Sequence, residues 1–185
     1  MALWRWLLKR KDSNRKDDVA LWNAAWLDAV SAPDAGRLAE LETALARRRS
    51  NGDLDVEIED EMLDGLRQLV ALQHDLDAGS LPKIETTHRL VRADRCHFSA
   101  PVSMPDDPAQ PTGRLLLTSS RAVFAGGARV PGLAWPAVRE VVQNGRDLMF
   151  VRVGVEGGHR FRCNSFADAL CAAAIARHLM RRARL

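Results

Sequence analysis

The stretch GRLLLTSSRAVFAGG, residues 113–127, decides the fold of this chain. It reads as two short strands, 113–119 and 121–125, broken by the polar pair Ser119-Ser120. Leu115 and Leu117 alternate with Arg114, as residues on a half-buried strand do. Leu116 is an apolar exception on the polar side, and the N-terminal helices are expected to cover it. Gly126-Gly127 closes the second strand with a hairpin signal.

Working outward, the same character holds from residue 95 to 163. Further strands are expected at 96–104, 133–135, 148–155 and 159–163. In the last of these, Phe161 and Cys163 face one way while Arg160 and Arg162 face the other. A Pro-rich polar loop with two acids and no base, residues 104–113, joins the first two strands. After Trp135-Pro136 comes a short Val-spaced segment through Val138, Val141 and Val142. A helix then closes the chain. Ser165 and Asp168 form a cap-like pair, and Phe166, Leu170, Ala173 and Met180 trace one face. An Ala-rich middle allows close approach to a sheet. The end carries Arg177, Arg181, Arg182 and Arg184.

The first 83 residues have a different period. Val19, Leu21, Trp22, Ala25, Trp26, Ala29 and Val30 recur at helical spacing. Ser31, Pro33, Asp34 and Gly36 combine a stop with a new cap. A second helix follows through Leu38, Leu41, Ala44 and Leu45, ending in Arg47, Arg48 and Arg49 beside the negative helix terminus. Residues 53–64 hold seven acids and no base. They lack the spacing and turn glycine of a calcium loop and read as a solvated helix start. Met62, Leu63, Leu66, Leu69, Val70 and Leu76 continue that helix to Gly79, with His74 off the apolar stripe. The organisation expected is a basic, Trp-containing segment at 1–16, a helical region at 17–83 and a strand-rich domain at 84–185.

The order of these pieces resembles a PH-like domain of the GRAM and bacterial PH type, over roughly residues 84–182. The carriers are Leu117-Thr118-x-x-Arg121 turning directly into Val123-Phe124, then Leu133-Ala134-Trp135 ahead of the Val-spaced segment, the two late strands and the closing helix. The resemblance implies an α+β fold: a small antiparallel PH-like β-barrel, capped by the C-terminal helix and preceded by the N-terminal helical region. It also implies a non-catalytic recognition module that binds protein partners or lipid headgroups, or self-associates. One departure matters. Headgroup-binding members carry bases on the loop between the first two strands, and the acidic loop here would repel a polyphosphate.

Composition narrows the function classes. The chain has 185 residues, 46% hydrophobic and 28% charged, with a net charge of only +3. That is globular composition without the basic excess of a dedicated nucleic-acid binder. Residues 89–185 hold 15 Arg against 7 acids, but no exposed aromatics interleave with them for stacking. Cys96, Cys163 and Cys171 lie in no Cys-x-x-Cys pair, which argues against structural zinc and a disulfide framework. Cys96 and His97, adjacent on a strand, face opposite sides and cannot pair with each other. His88, Cys96, His97 and His159 have no ligand spacing. No phosphate loop or Gly-x-Ser-x-Gly is present. No enzymatic activity, cofactor, metal, small-molecule substrate or nucleic acid is therefore expected. The expected partner is a protein or a second copy, met through Trp22, Trp26, Arg177, Arg181 and Arg182. An alternative is a peripheral membrane adaptor, in which Trp4, Trp6, Lys9, Arg10 and Lys11 sit at an anionic surface. An enzyme subunit ranks behind both. No apolar run approaches the length that spans a bilayer, and the order of charges at the start is not that of a secretion signal. The expected location is cytoplasmic, with membrane association at the inner face as the alternative.

Overall fold

The computed structural model describes residues 2–52, 55–86, 88, 89, 91, 94–126, 132–154 and 157–184, with side chains from residue 17 onward. Three helices come first: α1 (Ala2–Ser31), α2 (Ala35–Ser50) and α3 (Glu57–Asp77). Seven strands follow: β1 (Cys96–Ser103), β2 (Thr112–Thr118), β3 (Arg121–Gly126), β4 (Leu133–Ala134), β5 (Val138–Asn144), β6 (Asp147–Arg152) and β7 (Gly158–Cys163). A 3-10 turn at Trp135–Ala137 separates β4 from β5, and α4 (Phe166–Arg182) closes the chain.

The strands form one antiparallel sheet in the order β4-β3-β2-β1-β7-β6-β5. It does not lie flat. β3 and β7 are three strand steps apart, about 14 Å in a flat sheet. Yet the rings of Phe124 on β3 and Phe161 on β7 have centroids 5.8 Å apart. Trp135, just past one edge strand, reaches Phe150 beside the other edge at 6.3 Å. The sheet therefore winds around its aromatic core as the barrel reading requires. Gly113 and Gly126 are paired across β2 and β3. A Cβ on either would come within 2.8 Å of the Phe124 ring, so glycine at both leaves that ring its place.

The quoted stretch forms its two strands as expected, and Leu115 and Leu117 are fully buried. Leu116 is also buried, but not under the N-terminal helices. It packs with Val91, Cys96 and Val123, so the connector before β1 covers it. The Val-spaced segment is a full strand, β5, which the alternation rule did not mark. A register shift between Val138 and Glu140 puts Val138 and Val141 on the same inner face, three residues apart.

The helical region forms a second core around Trp22, Trp26, Leu41, Leu45, Met62, Leu63 and Leu66. The acidic run before it is not simply solvated. Glu59 is buried and accepts from Arg48 at 2.9 Å, while Asp60 pairs with Arg49. The arginines at the end of α2 thus hold the start of α3. His74 is exposed, as expected. α4 serves both cores. Ala169, Ala172, Ala173 and Ala176 face the sheet, while Leu170 and Phe166 face the helices. Among the described residues, no helix is long and apolar enough to cross a membrane.

Candidate functional site

At the loop pole, the end of the sheet that carries the acidic loop between β1 and β2, the described arginines of β7 are paired with acids. Arg160 and Arg162 project from the outer face of β7, opposite in direction to Phe161. Both bond Asp147 at the start of β6, with contacts of 2.5 to 3.0 Å. Arg160 also reaches Asp106 of the acidic loop at 3.2 Å. Hydrogen bonds from Arg162, opposed by burial and reinforced by Arg160, hold the Asp147 carboxyl below the usual carboxylate range.

A cleft of about 470 Å³ lies elsewhere, between the connector after α3, the start of β1 and the end of α4. It is lined by Ser80, Leu81, Lys83, Arg95, His97, Ser119, Leu179 and Arg182, with Gly79 and Ala183 completing it. Among the described residues, no carboxylate side chain is in that lining. The side chains of Lys83, Arg95 and Arg182 make no hydrogen bond or ion pair among the described residues. His97 is buried, with Nδ1 2.6 Å from the Pro82 carbonyl and Nε2 2.8 Å from Ser119 Oγ. A carbonyl only accepts, so Nδ1 carries the proton of that bond. The ring thereby ties the connector to the β2–β3 turn and fixes one wall of the cleft.

A larger groove of about 800 Å³ lies between α1 and α2. Leu21, Trp22, Ala25, Leu41 and Ala44 give it an apolar floor, and its charged residues balance, Asp18, Asp28 and Glu40 against Arg37, Arg47 and Arg48. Leu21 is 69% exposed there.

The sequence-derived surface residues separate in the structure. Trp22 and Trp26 are buried, so they are core residues and not an exposed partner face, although the Trp22 edge contributes to the groove. Their indole N–H groups donate to Leu41 O on α2 and Met62 O on α3. Paying for those polar atoms with backbone carbonyls is what allows both rings to be buried. Arg177 donates to Val141 O and Arg184 to Val138 O and Arg139 O. They cover carbonyls of β5, an edge strand that would otherwise present free acceptors. Arg181 is exposed, and Arg182 alone of this set lines the basic cleft. The side chains of Trp4, Trp6, Lys9, Arg10 and Lys11 lie outside those described; their backbone belongs to α1. Lys83, Arg95, His97 and Ser119 were not singled out as a group by sequence. Each is an ordinary strand-end or connector residue until the fold brings them together.

No group of three or more potential ligands gathers to hold a metal among the described residues. The thiols are not poised for chemistry. Burial pushes Cys163 up to about 12 and Cys171 up to about 11, so both remain protonated at neutral pH.

No protein-family model matches the chain, and no curated protein does. Among solved structures it is similar to the N-terminal PH domain of human ARAP2, at 9% identity and TM-score 0.38, covering 48% of this chain and 82% of that one. It is also similar to a chain of the ternary complex between human RhoA, its inhibitor and the DH/PH domain of human ARHGEF11. That match has 13% identity and TM-score 0.40 and covers 89% of this chain and 54% of the other. A third similarity is to the FERM and C-terminal domain complex of Drosophila Merlin, with 14% identity, TM-score 0.37, and coverage of 91% and 59%. The chain thus spans little more than half the length of the last two.

Proposed function

We propose that this protein is a non-catalytic interaction module that self-associates, the α1–α2 groove of one copy receiving the N-terminal part of α1 from another. The open apolar groove carries this reading. α1 has 30 residues and α2 has 16, about 45 Å and 24 Å at 1.5 Å per residue. The two cannot pack along their full lengths. The first buried side chain described in α1 is Trp22. The sequence ahead of it holds Leu3, Trp4, Trp6, Leu7 and Leu8, then Lys9, Arg10 and Lys11. An apolar segment and an apolar groove in one chain satisfy each other in a reciprocal pair.

Sedimentation velocity tests it. The full chain is expected as a dimer, and both the chain lacking residues 1–16 and Leu21→Glu as monomers. Leu21 is mostly exposed, so the charge should not disturb the core. A monomeric full chain overturns the reading.

A second reading has its own support. α1 runs unbroken from Ala2, which places Trp4, Trp6 and the basic cluster on a helix, the form an interfacial anchor takes. Co-sedimentation with phosphatidylserine vesicles by a monomeric full chain, lost on removing residues 1–16, selects this peripheral membrane role instead.

A further inference from the structure

The geometry points to an oxyanion-binding site of the phosphate-monoester class in the cleft formed by Lys83, Arg95, His97, Ser119 and Arg182. Three cationic side chains line one concavity, Lys83 and Arg95 from the two ends of the α3–β1 connector and Arg182 from the end of α4. Like charges gathered this way repel one another, and a bound anion removes that cost.

Each simpler account covers only part of the arrangement. A cation at the end of a helix complements the negative terminus, which explains Arg182. It does not explain Lys83 or Arg95, which belong to other segments. Internal ion pairing does not explain them either, since none of the three makes one among the described residues. Among the described residues, no acid enters the lining. Asp94 and Glu85 border a neighbouring hollow that Lys83 and Arg95 also touch. The Asp94 carboxylate accepts from the Ser120 N–H at 3.2 Å and from the Ser120 hydroxyl, so it is committed to the β2–β3 turn. At the loop pole the opposite holds, because Arg160 and Arg162 are saturated by Asp147 and Asp106. Among the described residues, the β7 arginines are thus paired with acids while the cleft cations are not.

The donor set fits a phosphate monoester better than a single carboxylate. Two guanidinium groups offer paired N–H donors matched to phosphate oxygens, and the lysine adds a point charge. Ser80 contributes a hydroxyl at the wall, whereas the Ser119 hydroxyl donates to His97 Nε2 and holds that ring in place. About 470 Å³ accommodates the phosphate together with a small organic group. Leu81 and Leu179 give that group an apolar side to rest on.

Isothermal titration calorimetry of the full chain with inorganic phosphate tests the site. Saturable binding is expected. Arg95→Gln, Arg182→Gln and Lys83→Gln should each weaken it at least tenfold, and raising the sodium chloride concentration should weaken it in the native chain. Arg139→Gln, outside the cleft, should leave it unchanged. Unaltered thermal melts would show that the variants fold. The source of the phosphate is read with phosphatidic acid vesicles. Capture that requires Arg95 and Arg182 and is reversed by free phosphate identifies a lipid headgroup. Phosphate binding without such capture identifies a soluble phosphate ester. No saturable phosphate binding, or binding indifferent to Arg95 and Arg182, overturns the proposal.

Discussion

The two cores of this molecule are held by different means. In the wound sheet, Phe124, Phe150, Phe161 and Trp135 meet at centroid distances of 5.8 to 6.3 Å, and strand register fixes where each ring points. Only the Trp135 indole brings a polar atom into that group, and it donates to Thr118 O at 2.8 Å. In the helical region, polar bonds between elements set the geometry. Trp22 and Trp26 each spend an indole N–H on another helix, and Arg48 and Arg49 clasp the start of α3. A helix face permits many rotations and slides of its neighbour; a sheet ladder permits almost none. The helical core therefore needs directional contacts that the sheet core does without.

α4 makes this contrast testable, because it packs on both cores. The division of the chain at residue 84 into a helical region and a strand-rich domain is a proposal that unfolding can break. Trp135→Ala and Trp26→Ala should each cost about 3–5 kcal/mol, as large-to-small core substitutions do. Because α4 joins the cores, both should lower the midpoint of one common urea transition. If Trp26→Ala instead shifts an earlier, separate transition and leaves the later one in place, the two regions unfold independently.

A smaller effect is expected at the joint itself. Gly65 of α3 crosses α4 closely. A Cβ there would stand 3.0 Å from Ala167 N and 3.1 Å from Phe166 C. These are backbone atoms and cannot swing aside. Gly65→Val should cost about 1–3 kcal/mol through overpacking, measured by urea denaturation. A stability equal to that of the native chain would mean that the helical region slides freely on α4. Beside this crossing, Glu61 accepts from the Phe166 N–H at 3.1 Å and from Arg146, whose guanidinium lies 5.2 Å from the Phe166 ring centroid. Those contacts make a loose joint the less expected outcome.

How far the sequence was legible follows the same contrast. Strands bounded by clear turn signals or showing alternation were readable almost to the residue: 121–125 against Arg121–Gly126, and 159–163 against Gly158–Cys163. β5 was not, because its bulge replaces alternation with a three-residue spacing that looks helical. The helices were legible from their apolar period, but their partners were not. Nothing in the acids of residues 57–61 announces that Arg48, Arg49 and Arg146 will meet them. The buried tryptophans look the same in sequence whether they face a core or a partner. The basic cleft was least legible of all. Its members lie at positions 83, 95, 97, 119 and 182, and they become neighbours only when the connector pairs with β1, β1 pairs with β2 and α4 packs across them.

The smallest effect distinguishes the two regions by their response to acid. Asp147 is the hub of the loop-pole ion pairs, and its carboxyl is held below the usual range chiefly by hydrogen bonding from Arg162. A carboxylate whose folded pKa is depressed stabilises the fold above its unfolded value, about 3.9 for aspartate. That contribution disappears as the pH falls through the folded value. Native chain and Asp147→Asn should therefore differ in stability at pH 7, with the native chain the more stable. The gap should stay constant down to about pH 4 and close below it. Urea midpoints of both chains from pH 7 to pH 3 measure this. Solvent surrounds Arg160 and Arg162, so the gap should be modest and should shrink in high salt. A gap that is indifferent to both pH and salt would mean that Asp147 shapes the β5–β6 turn sterically and that the arginines at this pole are free after all. In that case the loop pole would compete with the cleft beside α4 as the anion site, and the assignment of phosphate to the cleft would have to be decided by Arg95 and Arg182 alone.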